Sequence, residues 1–467
     1  MSDIPFILSG LIFVVTFAFI LTEKIHRTVI GMVGAVVMVG AGMYFSFYEP
    51  AQALHAIDFN TIGLLLGMMI IVAILEKTGV FQYLAIVAAK KTKGDPWKLV
   101  VVLGTVTTLL SLILDNVTTV ILIVPVTIII ARLLKISPVP ILMAEALLSD
   151  TGGVATLVGD PPNIMIGSAA GFSFNDFLTH IAPIVVVAWF VTLLTLKFVF
   201  RKEMAKKPEH IDELMAMNEN DAMKDKKTLK KIMFVLGIVV VLFFLHSSMH
   251  MPPSMVALIG AALAFLIVTP KKDPQPILEK VEWSVLLFFA ALFVIVGGLE
   301  HAGVLEHLAT GISSLAGGNI VVAALAILWI SAIMSAIVDN IPFTVAMIPV
   351  LTYLGTPVAM GGGGIEEINL LWWALALGVG FGGNGTPIGS TANIVVVAKS
   401  EQTDDPITFK KWMKSGAAAM FVTLIVASIG IFLFSTYLAQ ETAGQKAANN
   451  PDSAIEVSHE EPVEASH

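Results

Sequence analysis

Apolar residues run in long unbroken blocks rather than alternating. A block of about 20 apolar residues is long enough to cross a bilayer as a helix. Ten blocks read as candidate spans: 5–22, 28–46, 60–76, 138–170, 178–200, 231–246, 253–269, 283–300, 369–398 and 412–437. Two longer blocks are interrupted by polar pairs, 97–134 at Asp115-Asn116 and 319–356 at Asp339-Asn340. Each is long enough to enter the membrane, turn and return. Blocks 138–170 and 369–398 have Gly/Pro-rich centres. Their backbone must leave the helix at membrane depth, which is tolerated only inside protein or beside water. Residues 80–91 and 304–316 are too short or too polar to span, and read as connectors lying along the membrane surface. Met1 to Pro5 carries no Lys or Arg, and no cleavage site follows the first apolar run. So 5–22 is expected to be a span and not a signal peptide.

Composition agrees with this pattern. The chain of 467 residues is 56% hydrophobic and 13% charged, with mean hydropathy +0.87. Soluble domains carry about 25% charged residues, so a soluble enzyme, a nucleic-acid binder and a disordered chain are excluded. Barrel strands alternate polar and apolar, and these blocks do not. The expected class is an all-α polytopic membrane protein. The chain has no cysteine, which removes disulfides, thiolate metal sites and cysteine nucleophiles. Much of the net charge of -8 comes from residues 438–467, where Glu441, Asp452, Glu456, Glu460, Glu461 and Glu464 face Lys446 alone. That tail reads as solvated and disordered.

The one long polar linker, 201–230, divides the membrane part into halves that repeat. At an offset of 224, Leu75-Glu76 matches Leu299-Glu300, Gly79-Val80 matches Gly303-Val304, Asp115-Asn116 matches Asp339-Asn340, and Pro125-Val126 matches Pro349-Val350. The offset grows to 230 after the Gly361–Gly364 loop, where Gly152-Gly153 matches Gly382-Gly383, Thr156 matches Thr386, Gly159 matches Gly389, and Asn163 matches Asn393. Chance similarity of apolar helices would align Leu and Val, not acids, amides and glycines in order. The expected organisation is a first membrane repeat (1–200), a cytoplasmic linker (201–230), a second repeat (231–437) and the acidic tail (438–467). If the two interrupted blocks are re-entrant hairpins, each half crosses five times and the second is inverted. With both termini outside, 26 of the 27 basic residues fall inside, as the positive-inside rule expects.

Three carboxylates, Asp115, Asp160 and Asp339, are singled out inside apolar blocks. Each costs about 2.5–3.5 kcal/mol at mid-membrane if charged. An Asp-Asn pair is a good helix cap. The same groups can also face a site, where a helix N-terminus offers N–H groups to an anion and a carboxylate takes Na⁺ or a proton. Asp115, Asn116, Asp339 and Asn340 are the candidate Na⁺ ligands, with hydroxyls from Thr118 and Thr344 nearby in sequence. The segments Thr156-Leu-Val-Gly-Asp-Pro-Pro-Asn163 and Thr386-Pro-Ile-Gly-Ser-Thr-Ala-Asn393 supply Thr156, Gly159, Asp160, Asn163, Thr386, Gly389, Ser390 and Asn393. Paired helix breaks of this kind point to a transporter's central site. His246 and His250 read as solvated loop residues.

The string Leu114-Asp115-Asn116-Val117-Thr118-Thr119, with Pro125-Val126-Thr127, resembles the first hairpin of the ArsB/NhaD group of the ion transporter superfamily. Gly159-Asp160-Pro161-Pro162-Asn163 resembles the broken helix of its P-protein-like branch, a citrate-transporter-like domain. The resemblance runs over roughly 5–437. It implies two inverted repeats, a scaffold and a transport domain, and a homodimer working by an elevator movement. Dicarboxylate carriers of the wider superfamily have Ser-Asn-Thr at the hairpin tips, where this chain has Asp-Asn.

The chain lacks the phosphate-binding loop of an ATPase. The expected function is secondary active transport coupled to H⁺ or Na⁺, with no cofactor, in the inner cell membrane. The expected cargo is an inorganic ion, by Na⁺/H⁺ exchange or export of arsenite or another oxyanion. The alternative is a sodium-coupled carboxylate or sulfate symporter. A passive channel and an intramembrane aspartyl protease are remoter readings. The protease signature Gly-x-Gly-Asp is incomplete here, since Leu157 stands at its first Gly.

Overall fold

The computed structural model describes residues 4–22, 24–271, 273–307, 319–355 and 368–448. The first half contains α1 (Ile4–Leu21), α2 (Arg27–Tyr44), α3 (Phe59–Glu76), α4 (Val80–Thr92), α5 (Pro96–Ser111), α6 (Asn116–Leu133), α7 (Val139–Gly153), α8 (Pro161–Ala170) and α9 (Ala182–Val199). The second contains α10 (Lys226–Leu245), α11 (Pro253–Val268), α12 (Trp283–His301), α13 (Ile320–Val338), α14 (Asn340–Leu354), α15 (Asn369–Gly383), α16 (Thr391–Ser400) and α17 (Phe409–Leu438). Among the described residues there is no strand, and eight helices are long and apolar enough to cross a bilayer. Helix starts follow local chemistry. Asp95 accepts from Lys98 N at 2.9 Å with Pro96 behind it, and Asp58 accepts from Asn60 N at 2.9 Å.

The interrupted blocks are the expected helix pairs, α5/α6 and α13/α14. The broken blocks are α7/α8 and α15/α16. Packing follows the repeat. Helix α2 lies on α12 and α3 lies on α11, which are equivalent pairs across the halves. The same holds for α6 on α16 and α14 on α8, and for α5 on α7 and α13 on α15. The α13/α15 contact is close because glycines face it. A Cβ on Gly378 would stand 2.6 Å from Leu328 O, and one on Gly382 would stand 2.5 Å from the Ala332 backbone.

Two expectations change, for the tail and for His246. The linker is docked on the first half. Lys224 N donates to Thr78 O at 2.9 Å, Lys90 pairs with Glu219 at 2.6 Å, and Lys135 pairs with Glu209 at 2.8 Å. Gly79 makes this docking fit: its φ is +79°, and an added Cβ would collide with Ala222 O. The connector 80–91 is helix α4, with Phe81, Ala85 and Ala89 buried on a face packed against α5 and α6. The tail does not begin loose at 438. Residues 443–448 form a short helix, and Gln445 Nε2 donates to Ala170 O and Asn369 Oδ1, each at 2.9 Å. Gly444 N donates to Asp176 Oδ2 at 3.1 Å. His246 is buried rather than solvated, because its Nε2 accepts from Phe174 N at 3.1 Å. Most of connector 304–316, the Gly361–Gly364 loop and the tail beyond Ala448 lie outside the described residues.

Candidate functional site

Each broken helix is stitched to its hairpin by the same bonds in both halves. Thr156 Oγ1 donates to Leu112 O at 2.7 Å, and Thr386 Oγ1 donates to Ala336 O at 2.5 Å. Ser111 Oγ donates to Ser149 O at 3.2 Å, and Ser335 Oγ to Val379 O at 2.7 Å. Asn163 Nδ2 closes its own break through Val154 O and Thr156 O, at 2.9 and 2.8 Å. Asn393 does the same through Gly383 O at 2.8 Å and Thr386 O at 3.2 Å. The glycines are needed for closeness: a Cβ on Gly159 would lie 2.5 Å from Gly153 O, and one on Gly389 would lie 2.6 Å from Gly383 O. Thr344 is fully buried and bonds back to Asn340 O at 2.7 Å. So Thr156, Thr386, Gly159, Gly389, Asn163, Asn393 and Thr344 build the frame.

The polar centre lies between these frames. Asn116 Nδ2 donates to Asp150 Oδ1 at 2.8 Å and to Asp160 Oδ1 at 3.5 Å. Asn340 Nδ2, from the other hairpin, reaches both oxygens of Asp160 at 3.3 and 3.4 Å. Asp115 and Asp339 directly precede Asn116 and Asn340, so these amides bring both hairpin tips to Asp160, and Ser390 is the buried residue that precedes α16. The residues Asn116, Asp150, Asp160, Asn340 and Ser390 are all nearly sealed from solvent. Several buried acceptors have no donor: Asn116 Oδ1, Asp150 Oδ2, Asn163 Oδ1, Asp339 Oδ1 and Asn393 Oδ1. Unmet acceptors at this depth are costly unless a proton, cation or other donor reaches them.

The two tips differ. Asp115 caps α6, with Oδ1 accepting from Thr118 N at 2.8 Å and Oδ2 from Thr118 Oγ1 at 2.5 Å. Asp339 forms no side-chain cap and has φ +91°, outside the regions non-glycine residues favour. Its Oδ2 accepts from Arg27 Nη1 at 2.9 Å. The four expected Na⁺ ligands therefore stand in different settings. Among the described residues no group of three acidic or histidine side chains is placed to hold a metal ion.

Sequence reasoning missed Asp150, Glu145 and Arg27. Both acids lie in block 138–170 and are almost wholly buried. Glu145 Oε1 accepts from Thr127 Oγ1 at 2.5 Å, while its Oε2 has no partner. A count of every acid inside the apolar blocks finds both. Arg27 is one of three arginines in the chain, and it reads as an interfacial charge until its partner is seen.

Two helix breaks and two hairpin tips closing on buried acids, within a bundle of membrane-length helices, define a multi-pass membrane transporter. Residues 17–378 match the citrate transporter family, and the chain belongs to that family. It is 40% identical over 430 residues to a 46 kDa membrane protein of Mycobacterium leprae, covering 91% of this chain and 98% of the relative. It is 41% identical over 425 residues to an uncharacterized transporter of Mycobacterium tuberculosis, covering 90% and 97%. The P protein of Homo sapiens is 32% identical over 487 residues, covering 88% of this chain and 58% of that longer protein. These matches bear out the P-protein-like branch and a transporter rather than an enzyme. The Alcanivorax borkumensis YdaH transporter, in a crystal structure described as having an unusual topology, shares the fold. Its TM-score is 0.56 at 13% identity, over 93% of this chain and 100% of that one.

Proposed function

We propose that the chain is a secondary active transporter coupled to H⁺ or Na⁺, with Asp150 and Asp160 as the coupling groups and Asp339, Asn116 and Asn340 beside them. One observation carries this reading: Asp150 and Asp160 share the Asn116 amide, Asp160 also takes the Asn340 amide, Asp115 and Asp339 adjoin those two amides in the chain, and among the described residues Arg27 is the one basic side chain paired with any of the four. Four ionised carboxylates against one guanidinium would leave several unpaired charges in the membrane interior. Protons or a cation must neutralise them, and a group that must take up an ion can exchange it with either side. We favour an inorganic cargo, by Na⁺/H⁺ exchange or oxyanion export. Sodium-coupled carboxylate or sulfate symport is the second reading, favoured by the family's description. Inner-membrane placement with both termini outside, and a homodimer with an elevator movement, belong to the same proposal. A monomeric mass for the purified protein in mild detergent would remove the dimer.

The test is purified protein in liposomes holding a pH-sensitive dye, given Na⁺, arsenite, sulfate and citrate in turn. One of these is expected to drive or follow a pH or Na⁺ gradient uphill. Asp150→Asn and Asp160→Asn are each expected to abolish uphill movement in protein that inserts normally. Wild-type gradients in both variants would defeat the proposal, and flux that runs only downhill would make the protein a channel.

A further inference from the structure

Arg27 lies at the start of α2, outside both broken helices and both hairpins. It lines a cavity of about 300 Å³ with His26, Phe288, Asp339, Pro342 and Thr391. Its side chain is 23% exposed, and its Cζ stands 5.3 Å from the Phe288 ring centre. Both of its hydrogen bonds leave from Nη1, to Asp339 Oδ2 at 2.9 Å and Thr391 Oγ1 at 3.0 Å. Nη2 and Nε make no further bonds among the described residues. A guanidinium carries five N–H donors in a planar fork suited to carboxylates and oxyanions.

Two features of the cavity wall also favour an anion. The N-termini of α14 and α16 both reach it, and α16 has no side-chain cap, since Ser390 makes no cap bond. Uncapped N-termini are the positive ends of helices. The wall also holds an open acceptor. Asp339 is 7% exposed, and its Oδ1 has no hydrogen-bond partner. A ligand that is anionic and also carries an O–H, as citrate does, would satisfy the fork and this oxygen together, whereas fully ionised sulfate would meet the fork alone.

We infer that this cavity is a binding site for a small oxyanion or carboxylate, anchored by the Arg27 guanidinium, with Asp339 as the partner that the anion displaces. Asp339 and Thr391 hold the guanidinium. An entering anion takes the free edge of the fork and competes for Nη1. No bond is made or broken covalently. The inference rests on reading the central acids as the coupling site, and it supplies the contact for the cargo. Its shared chemistry covers inorganic oxyanions and carboxylates and leaves out Na⁺ as the sole cargo.

The experiment labels the full-length purified protein with phenylglyoxal, which attacks accessible arginines, and counts adducts at Arg27, Arg132 and Arg201 by peptide mass spectrometry. Sulfate, citrate and chloride are compared at equal ionic strength. Asp339→Asn is expected to raise labelling at Arg27, since its charged partner is gone. Sulfate or citrate is expected to slow labelling at Arg27 by roughly tenfold, the scale of a charge-assisted hydrogen bond, and to leave Arg132 and Arg201 unchanged. Whichever anion protects at the lower concentration identifies the source. Absence of protection at Arg27, or equal protection by chloride, overturns the inference. If the variant does not fold, the wild-type arms decide alone. Asp150→Asn and Asp160→Asn separate the two readings, because protection at Arg27 in those variants does not depend on whether they lose coupling.

Discussion

Asp115 and Asp339 stand at the same place in two copies of one hairpin, yet their carboxylates have different partners. Asp115 accepts twice from Thr118, whereas Asp339 holds Arg27 and leaves Oδ1 open. Substitutions should therefore separate them. Asp115→Asn keeps a cap acceptor and is expected to transport near the wild-type rate, while Asp115→Ala loses about 1 kcal/mol of stability. Thermal unfolding in detergent and liposome flux read the two effects. If Asp115→Asn alone abolishes coupling while the fold is kept, Asp115 joins the coupling groups and the cap account falls. The tips were legible in the sequence because Asp-Asn interrupts an apolar run. Asp150 and Glu145 were not, because each sits inside an unbroken helix where apolar neighbours mask a single acid. Repeat symmetry could not reveal them either. Their counterparts at the 230 offset are Gly380 and Leu375, so the acids belong mainly to one half.

At the scale of elements, the paired breaks and hairpins were readable because glycine, proline and Asp-Asn are local signals. The docked linker and C-terminal helix were not, because their contacts are long-range bonds between polar residues. Lys90 beside Glu219 and Lys135 beside Glu209 hold both carboxyls below the usual glutamate range. A pKa lowered in the folded state gives stabilisation that is complete above the ordinary glutamate value and is lost as pH falls through the lowered one. Amide protection across residues 203–224, taken relative to the intrinsic exchange rate at each pH, is therefore expected to fall as the medium is taken below about pH 4. The effect should be modest, since both pairs are partly exposed. Protection that stays the same from neutral to acidic pH would mean that backbone contacts at Thr78 hold the linker alone.

For the whole molecule, the 26-to-1 division of basic residues predicts that the linker and the C-terminus face opposite sides. The native chain lacks cysteine, so single Cys residues at Asn218 and at Ser453, the latter outside the described residues, can be labelled by an impermeant reagent. Labelling of both from one side would overturn the inverted arrangement. The duplication was visible in the sequence from matched acids, amides and glycines. How the halves embrace was not, because α2 meets α12 and α3 meets α11 only once the chain is folded. These four helices form one packed set, and the stitched hairpins and broken helices form another. Arg27 belongs to the first set, while Asp339 and Thr391 belong to the second, so their bonds cross the seam. In the elevator movement proposed above, that seam would be the sliding surface and the ion pair a detent on it. A carrier held in that notch would cycle and leak slowly when unloaded. Cargo that competes for Arg27 would lift the catch, so that loading itself would set the pace of travel.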